Sequence, residues 1–412
     1  MNVRVTMTGA SQGAAAEAPS RVAGQLSGGA LAAPRQALAL LRLATGGFAL
    51  AGLLAFVFGT SWDIQWHIFI GRDRVLIPPH LLMLGGITLS GVAALSEIAV
   101  ESLWARQRRG LGALGTSFAG VFSASAGAYL VGFAALAAGV GFPLDVYWHA
   151  LYGIDVSVWA PFHMLIISSM SIAALGVAHL LLSGANLADA AMLARAARTG
   201  ALVALAAMLW ALLFFLDAAF DDAAIHFGPI VLDTYSLMIC GFGGFALALA
   251  VAAWPARFTA VGVAVAYYVI DLAAFLLIPP LTEALRVSEH QIYRRGGSPT
   301  VVVVSFLAPP LLILAAGAID WAAARARRAQ LPFKALRVRV GWAAVVGLLL
   351  AAVLSIEYLP LIRHALSNPP DEPERLIINL VFAAWLGLGA AGAWLGSRLG
   401  LDIGQMLQRV ER

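Results

Sequence analysis

The sequence predicts an all-α, polytopic integral membrane protein of about ten transmembrane helices, with a parallel helical-hairpin repeat in its N-terminal half. Three observations predict it. The 412 residues are 61% hydrophobic and only 12% charged, with a mean hydropathy of +0.86, more apolar surface than a soluble chain of this length needs. Apolar runs long enough to span a bilayer recur from residue 37 onward. The basic residues gather in alternate loops between those runs, as cytoplasmic loops do.

Residues 1–34 are mostly Ala, Gly, Ser and Pro, with no apolar run that would make a signal peptide. They are expected to be a disordered cytoplasmic tail. Residues 35–190 are expected to form a four-helix membrane domain, with spans over 37–61, 79–104, 114–141 and 160–184. Residues 191–412 follow as a second membrane domain of about six helices, over 198–220, 232–253, 257–279, 299–321, 340–361 and 375–397. Arg106, Arg108 and Arg109 follow the second span, Arg195 and Arg198 the fourth, and Arg257 the sixth. Arg325, Arg327, Arg328, Lys334, Arg337 and Arg339 follow the eighth. The positive-inside rule then puts both termini in the cytoplasm, as in a bacterial-type inner membrane. It also puts His67, His80, His149, His163, His226, His290 and His364 near the outer face, and His179 near the inner end of its span. The net charge of +4 comes from loop arginines and implies no nucleic-acid partner; the expected surroundings are lipid. The single cysteine, Cys240, excludes a disulfide framework or a Cys-based metal site and is expected to be a small buried hydrophobe.

Within this apolar chain one polar unit occurs twice. The first copy runs Asp63, Trp66, His67, Gly71, Asp73, Pro78, His80. The second runs Asp145, Trp148, His149, Gly153, Asp155, Pro161, His163, with one extra residue between its histidines. Each copy starts at the end of one expected span, crosses a short loop and ends at the top of the next, so the two hairpins form a parallel repeat. Asp222 and His226 keep the opening spacing in the hairpin of spans five and six, without a closing Pro-x-His. They are a candidate degenerate third copy.

Asp63 and His67 are four residues apart, which puts both on one face of a helix end. Pro79 favours a helix start beside them, so His80 joins them from the next span. Asp145, His149 and His163 repeat the arrangement. Two imidazoles and one carboxylate leave coordination positions open and suit copper, non-haem iron or zinc. Asp73 and Asp155 are expected to hold a ligand imidazole by its second nitrogen, or Asp73 to pair with Arg72. Haem ligation by His80 and His163 is a further possibility, which the Asp partners fit less well. Trp66 and Trp148 read as aromatic-belt residues, and an outer-loop histidine is ordinarily a solvated polar group. The recurrence of the whole spacing favours metal over that plainer reading, and ionisable groups kept at membrane depth are functional candidates.

These residues resemble the C subunit of the copper membrane monooxygenases, the particulate methane and ammonia monooxygenases. Trp66, His67, Arg72, Asp73, Pro78 and His80 stand where that family has W-H-x4-R-D-x4-P-x-H, and Ala160-Pro161-Phe162-His163 matches its closing A-P-x-H. The resemblance covers roughly residues 40–185. Asp145 departs from it, since the family usually has Asn there. The family's C subunit is much shorter, and the last six spans have no counterpart in it. The resemblance implies two neighbouring copper sites, one at Asp63, His67 and His80 and one at Asp145, His149 and His163. It further implies O2-dependent oxidation of a small apolar substrate, in a complex with subunits like the family's A and B chains. Two other functions remain open at the level of sequence. One is a copper transporter or chaperone, although no Met-rich or Cys pairs are present for soft Cu(I) transfer. The other is a structural or sensory membrane subunit with a relic site.

Overall fold

In a computed structural model the described residues are 32–71, 75–107, 114–153, 160–221, 225–227, 230–232, 234–294, 311–354 and 372–409. They form ten α-helices and two small hairpins. The helices are α1 (Ala32–Phe69), α2 (Pro78–Gln107), α3 (Ala126–Tyr152), α4 (Pro161–Leu187) and α5 (Ala191–Asp221), then α6 (Tyr235–Ala253), α7 (Thr259–Ser288), α8 (Leu312–Arg328), α9 (Phe333–Val353) and α10 (Glu372–Arg409). Strands β1 (Thr116–Phe118) and β2 (Phe122–Ala124) pair antiparallel between α2 and α3, and β3 (Ile225–Phe227) and β4 (Ile230–Leu232) do so between α5 and α6.

Nine of these helices are long and apolar enough to cross a membrane. The chain is a multi-pass, all-α membrane protein. Only α8 falls short, and residues 299–310 of the expected eighth span lie outside the described residues. Outward faces carry large apolar side chains in the open, such as Val92, Leu95, Phe133, Leu136 and Trp321. In water such a surface would aggregate; against lipid tails it is the stable arrangement, because each helix already satisfies its own backbone.

The expected third span, 114–141, starts too early. Ala119 and Gly120 both take left-handed backbone conformations (φ 53° and 68°) and turn β1 into β2. Ser125 then starts α3 by accepting the backbone N–H of Ala128 on its side chain. The apolar composition of 114–124 hid this turn from a hydropathy reading. The ninth expected span, 340–361, is displaced the other way, since its helix begins at Phe333.

Small residues set the spacing of the first two hairpins. A Cβ on Gly52 of α1 would lie 2.4 Å from the Gly86 carbonyl oxygen of α2, and one on Gly127 of α3 would lie 2.6 Å from the Gly176 oxygen of α4. Each hairpin is thus zipped backbone to backbone at a facing glycine pair, as small-residue contacts allow in membranes. The main buried cluster continues without a break from Leu43 in α1 to Leu401 in α10, and α4 packs directly against α5 across the expected boundary at residue 190. Cys240 is fully buried within it, as a small hydrophobe.

Candidate metal centres

The helices end where the repeat needs them to. Asp63 and His67 occupy the last turns of α1, and Gly71 follows with φ 71°. Asp145 and His149 occupy the last turns of α3, and Gly153 follows with φ 92°. A left-handed residue after a helix is a stop signal that glycine meets without strain, so the glycine of each unit turns the chain toward the next span. Pro78 and Pro161 are the first residues of α2 and α4, a position where the missing N–H costs nothing. His80 and His163 therefore stand two residues into their helices.

The structure brings together both expected triads. In the first, His80 Nε2 lies 2.9 Å and His67 Nε2 3.5 Å from Asp63 Oδ1. In the second, His163 Nε2 lies 3.2 Å from Asp145 Oδ1, and His149 Nε2 lies 3.4 Å from Asp145 Oδ2. Within each triad the ligand atoms all fall within 4.8 Å of one another. Donors about 2.0–2.2 Å from a metal, at roughly tetrahedral or right angles, sit about 2.8–3.6 Å apart, and the carboxylate–imidazole separations match. All six side chains are half-buried.

Ring orientation supports the same fit. His80 Nδ1 is 3.1 Å from the Val75 carbonyl oxygen, and His149 Nδ1 is 3.1 Å from that of Gly153. A carbonyl only accepts, so both Nδ1 atoms carry a proton, and each Nε2 is left either to ligate a cation through its lone pair or, in the imidazolium, to donate to the carboxylate. The 2.9 Å approach of His80 Nε2 to Asp63 Oδ1 suits either two donors converging on one cation or a protonated imidazole on the carboxylate. Asp63 Oδ1 and Asp145 Oδ1 are also shielded from solvent and accept no hydrogen bond of ordinary geometry. Those oxygens fit a metal ion better than an empty pocket.

The expectation for Asp73 and Asp155 falls outside the described residues, as do Arg72 and Asp222. His226 lies in β3, and its side chain is outside the description. The holding of the second ring nitrogen, expected of Asp73 and Asp155, is carried for His80 and His149 by backbone carbonyls. A carbonyl leaves no residue-type signal in a sequence.

Trp66 corrects another expectation. It is buried, 2% exposed, rather than part of an aromatic belt, and packs with Ile70, Ile77 and Leu285 beside Trp62 and Tyr293. Leu285 and Tyr293 belong to α7 and the segment after it, which cover that side of α1. The same segment reaches the first triad's turn. Arg294 donates its backbone N–H to the Phe69 oxygen at 2.8 Å, and a Cβ on Gly71 would lie 1.9 Å from the Arg294 guanidinium carbon. The C-terminal half thus buttresses the first triad. Among the described residues the second triad has no such neighbour, since a Cβ on Gly153 would meet nothing within 4 Å.

Trp148 is half-buried and sits in an aromatic wall beside the second triad, with ring centroids 4.3 Å from Tyr152 and 5.9 Å from Phe162. Phe142, three residues before Asp145, sets its ring edge-on to His80 at 6.3 Å. The triads therefore lie side by side at one end of the bundle, with aromatic carbon between and around them.

Fold and site together define a helical, multi-pass membrane protein with two candidate metal centres. The chain matches no protein-family model, no curated protein and no solved structure.

Proposed function

We propose that this chain is a membrane metalloprotein that holds copper at its two triads and serves as the metal-bearing subunit of an O2-dependent oxidoreductase acting on small apolar substrates. The observation that carries the metal reading is the convergence, twice, of one carboxylate and two imidazoles within 4.8 Å. Copper is the metal implied by the likeness to the monooxygenase C subunit. The donor set itself suits iron or zinc as well.

Asp63, His67 and His80 would hold one ion, and Asp145, His149 and His163 the other. A bound copper would supply redox chemistry and a coordination position for O2. The chain's own groups do the rest. Val75 and Gly153 orient imidazoles through their carbonyls. Phe142, Trp148, Tyr152 and Phe162 offer apolar surface at the sites, next to a lipid phase in which apolar substrates concentrate. By the basic loops, the triads face the outside of a bacterial-type inner membrane and both termini the cytoplasm. Subunits like the monooxygenase A and B chains would complete the complex.

Metal analysis of the full chain purified in nanodiscs and reconstituted with copper tests this, beside His67→Ala and His149→Ala. Two copper ions per chain are expected, one for each triad, with one lost in each variant. Zinc or iron in place of copper would redirect the function toward those metals. A wild type that stays metal-free, or copper content indifferent to both changes, would overturn the assignment.

A further inference from the structure

A second ionisable cluster lies at the opposite end of the first four helices, and neither triad uses it. Arg42 of α1 is fully buried and bonds bidentately to Glu101 of α2, Nε to Oε1 at 2.7 Å and Nη2 to Oε2 at 3.0 Å. It also bonds Ser183 Oγ of α4 at 2.6 Å and the Leu114 carbonyl at 2.9 Å. Glu97, one turn earlier on α2, is also fully buried. The Ser125 hydroxyl accepts the Ala128 N–H, so its own proton is donated to Glu97 Oε1, at 2.5 Å. Glu97 Oε2 is shielded from solvent and has no hydrogen-bond partner.

We propose that Glu97 is a proton-binding site, a carboxyl that carries its proton at neutral pH inside the helix bundle. The charges around it among the described residues favour this, and the buried Thr45 hydroxyl of α1 is a further polar neighbour. From α1 comes the Arg42 cation, and from α2 itself the Glu101 anion, which takes both strands of the Arg42 fork. From α4 comes His179, 2% exposed, whose Nδ1 accepts the Gly127 N–H at 3.1 Å. A ring nitrogen that accepts an N–H carries no proton, so His179 is neutral. The first turn of α3 has no acidic residue. Among the described residues one guanidinium thus faces two carboxylates, and a second buried anion costs several kcal/mol unless it is matched by a cation. A proton on Glu97 Oε2 removes that charge.

The ligand is a proton, drawn from the face opposite the triads. Arg42 and Asp63 share α1 and are 21 residues apart, about 30 Å along a helix, which is the thickness of a bilayer's hydrocarbon core. The β1–β2 hairpin covers the cluster. Leu114 meets Arg42, Ser123 bonds Ser102 at 3.0 Å, and the Val121 carbonyl accepts from Arg106 at 3.3 Å. Proton exchange with that face passes this hairpin.

Infrared spectroscopy of the full chain in lipid nanodiscs at neutral pH reads the proton directly. The wild type should show the C=O stretch of a protonated, buried carboxyl. Glu97→Gln should remove that band, and Ser125→Ala should shift it by withdrawing the one hydrogen bond to Oε1. If Glu97→Gln does not fold, the Ser125→Ala shift decides. Glu101→Gln offers a further check, since it leaves Arg42 free to pair with Glu97 and should convert the band to carboxylate. A wild type with no such band, or a band unchanged in both Glu97→Gln and Ser125→Ala, would overturn the proposal; a sodium ion at the site would give the first of these.

Discussion

Six side chains and two carbonyl oxygens make the paired centres, and the side chains were legible because residue types repeat at fixed spacing. Asp63 with His67, and Asp145 with His149, follow from helical periodicity alone. The interior cluster was equally visible and passed unread. Arg42 falls inside the first span, and Glu97 and Glu101 fall four residues apart inside the second, in a chain where charge is scarce. Helical spacing alone puts the two glutamates on one face, but no spacing rule reaches from α2 to Arg42, 59 residues away from Glu101. That pairing is a tertiary fact. Its cost when broken should be large. Arg42→Leu leaves Glu101 buried without its cation, a change that destabilises by about 3–5 kcal/mol. Thermal unfolding in detergent should show a clear drop, and a variant as stable as wild type would mean that the cluster relaxes to water.

Among elements, the helices were placed well wherever apolar runs are bounded by Gly, Pro or charge, and poorly where apolar residues also build a turn. Residues 114–124 are the clearest case, since their two left-handed positions carry no polar marker at Ala119. The glycines of the repeat behave differently from one another. Gly71 needs its left-handed conformation, and a Cβ there would also require the guanidinium end of the flexible Arg294 side chain to swing aside. Gly153 needs only the conformation. Gly71→Ala should therefore lower metal content at the first triad and spare the second. Gly153→Ala should cost about 1–3 kcal/mol of backbone strain, because φ 92° with ψ 169° is a region essentially confined to glycine. It should lower metal content at the second triad, whose His149 bonds the Gly153 carbonyl, while sparing the first. Loss at both triads in either variant would mean that the two turns are not independent.

For the whole molecule, composition was decisive, and the described helices bear it out as a multi-pass bundle. Connectivity between the two halves was not legible. The buried cluster that joins them is built of Ala, Gly, Leu and Val, residues that identify an interior without identifying its partners. The basic loops imply an even number of crossings with both termini on one face, one more crossing than the nine spanning helices among the described residues. Reporter fusions at the two ends should give the same sidedness, opposite to that of a tag inserted between Arg72 and Val75. Opposite readings for the two ends would leave an odd number of crossings.

Tyr293 and Arg294 give the first centre a tie that no described residue gives the second. Whatever seats on that segment, or pulls α7 away from α1, reaches one centre and passes the other by. The two copies of the repeated hairpin are in this way separately addressable, one of them wired to the distant half of its own chain.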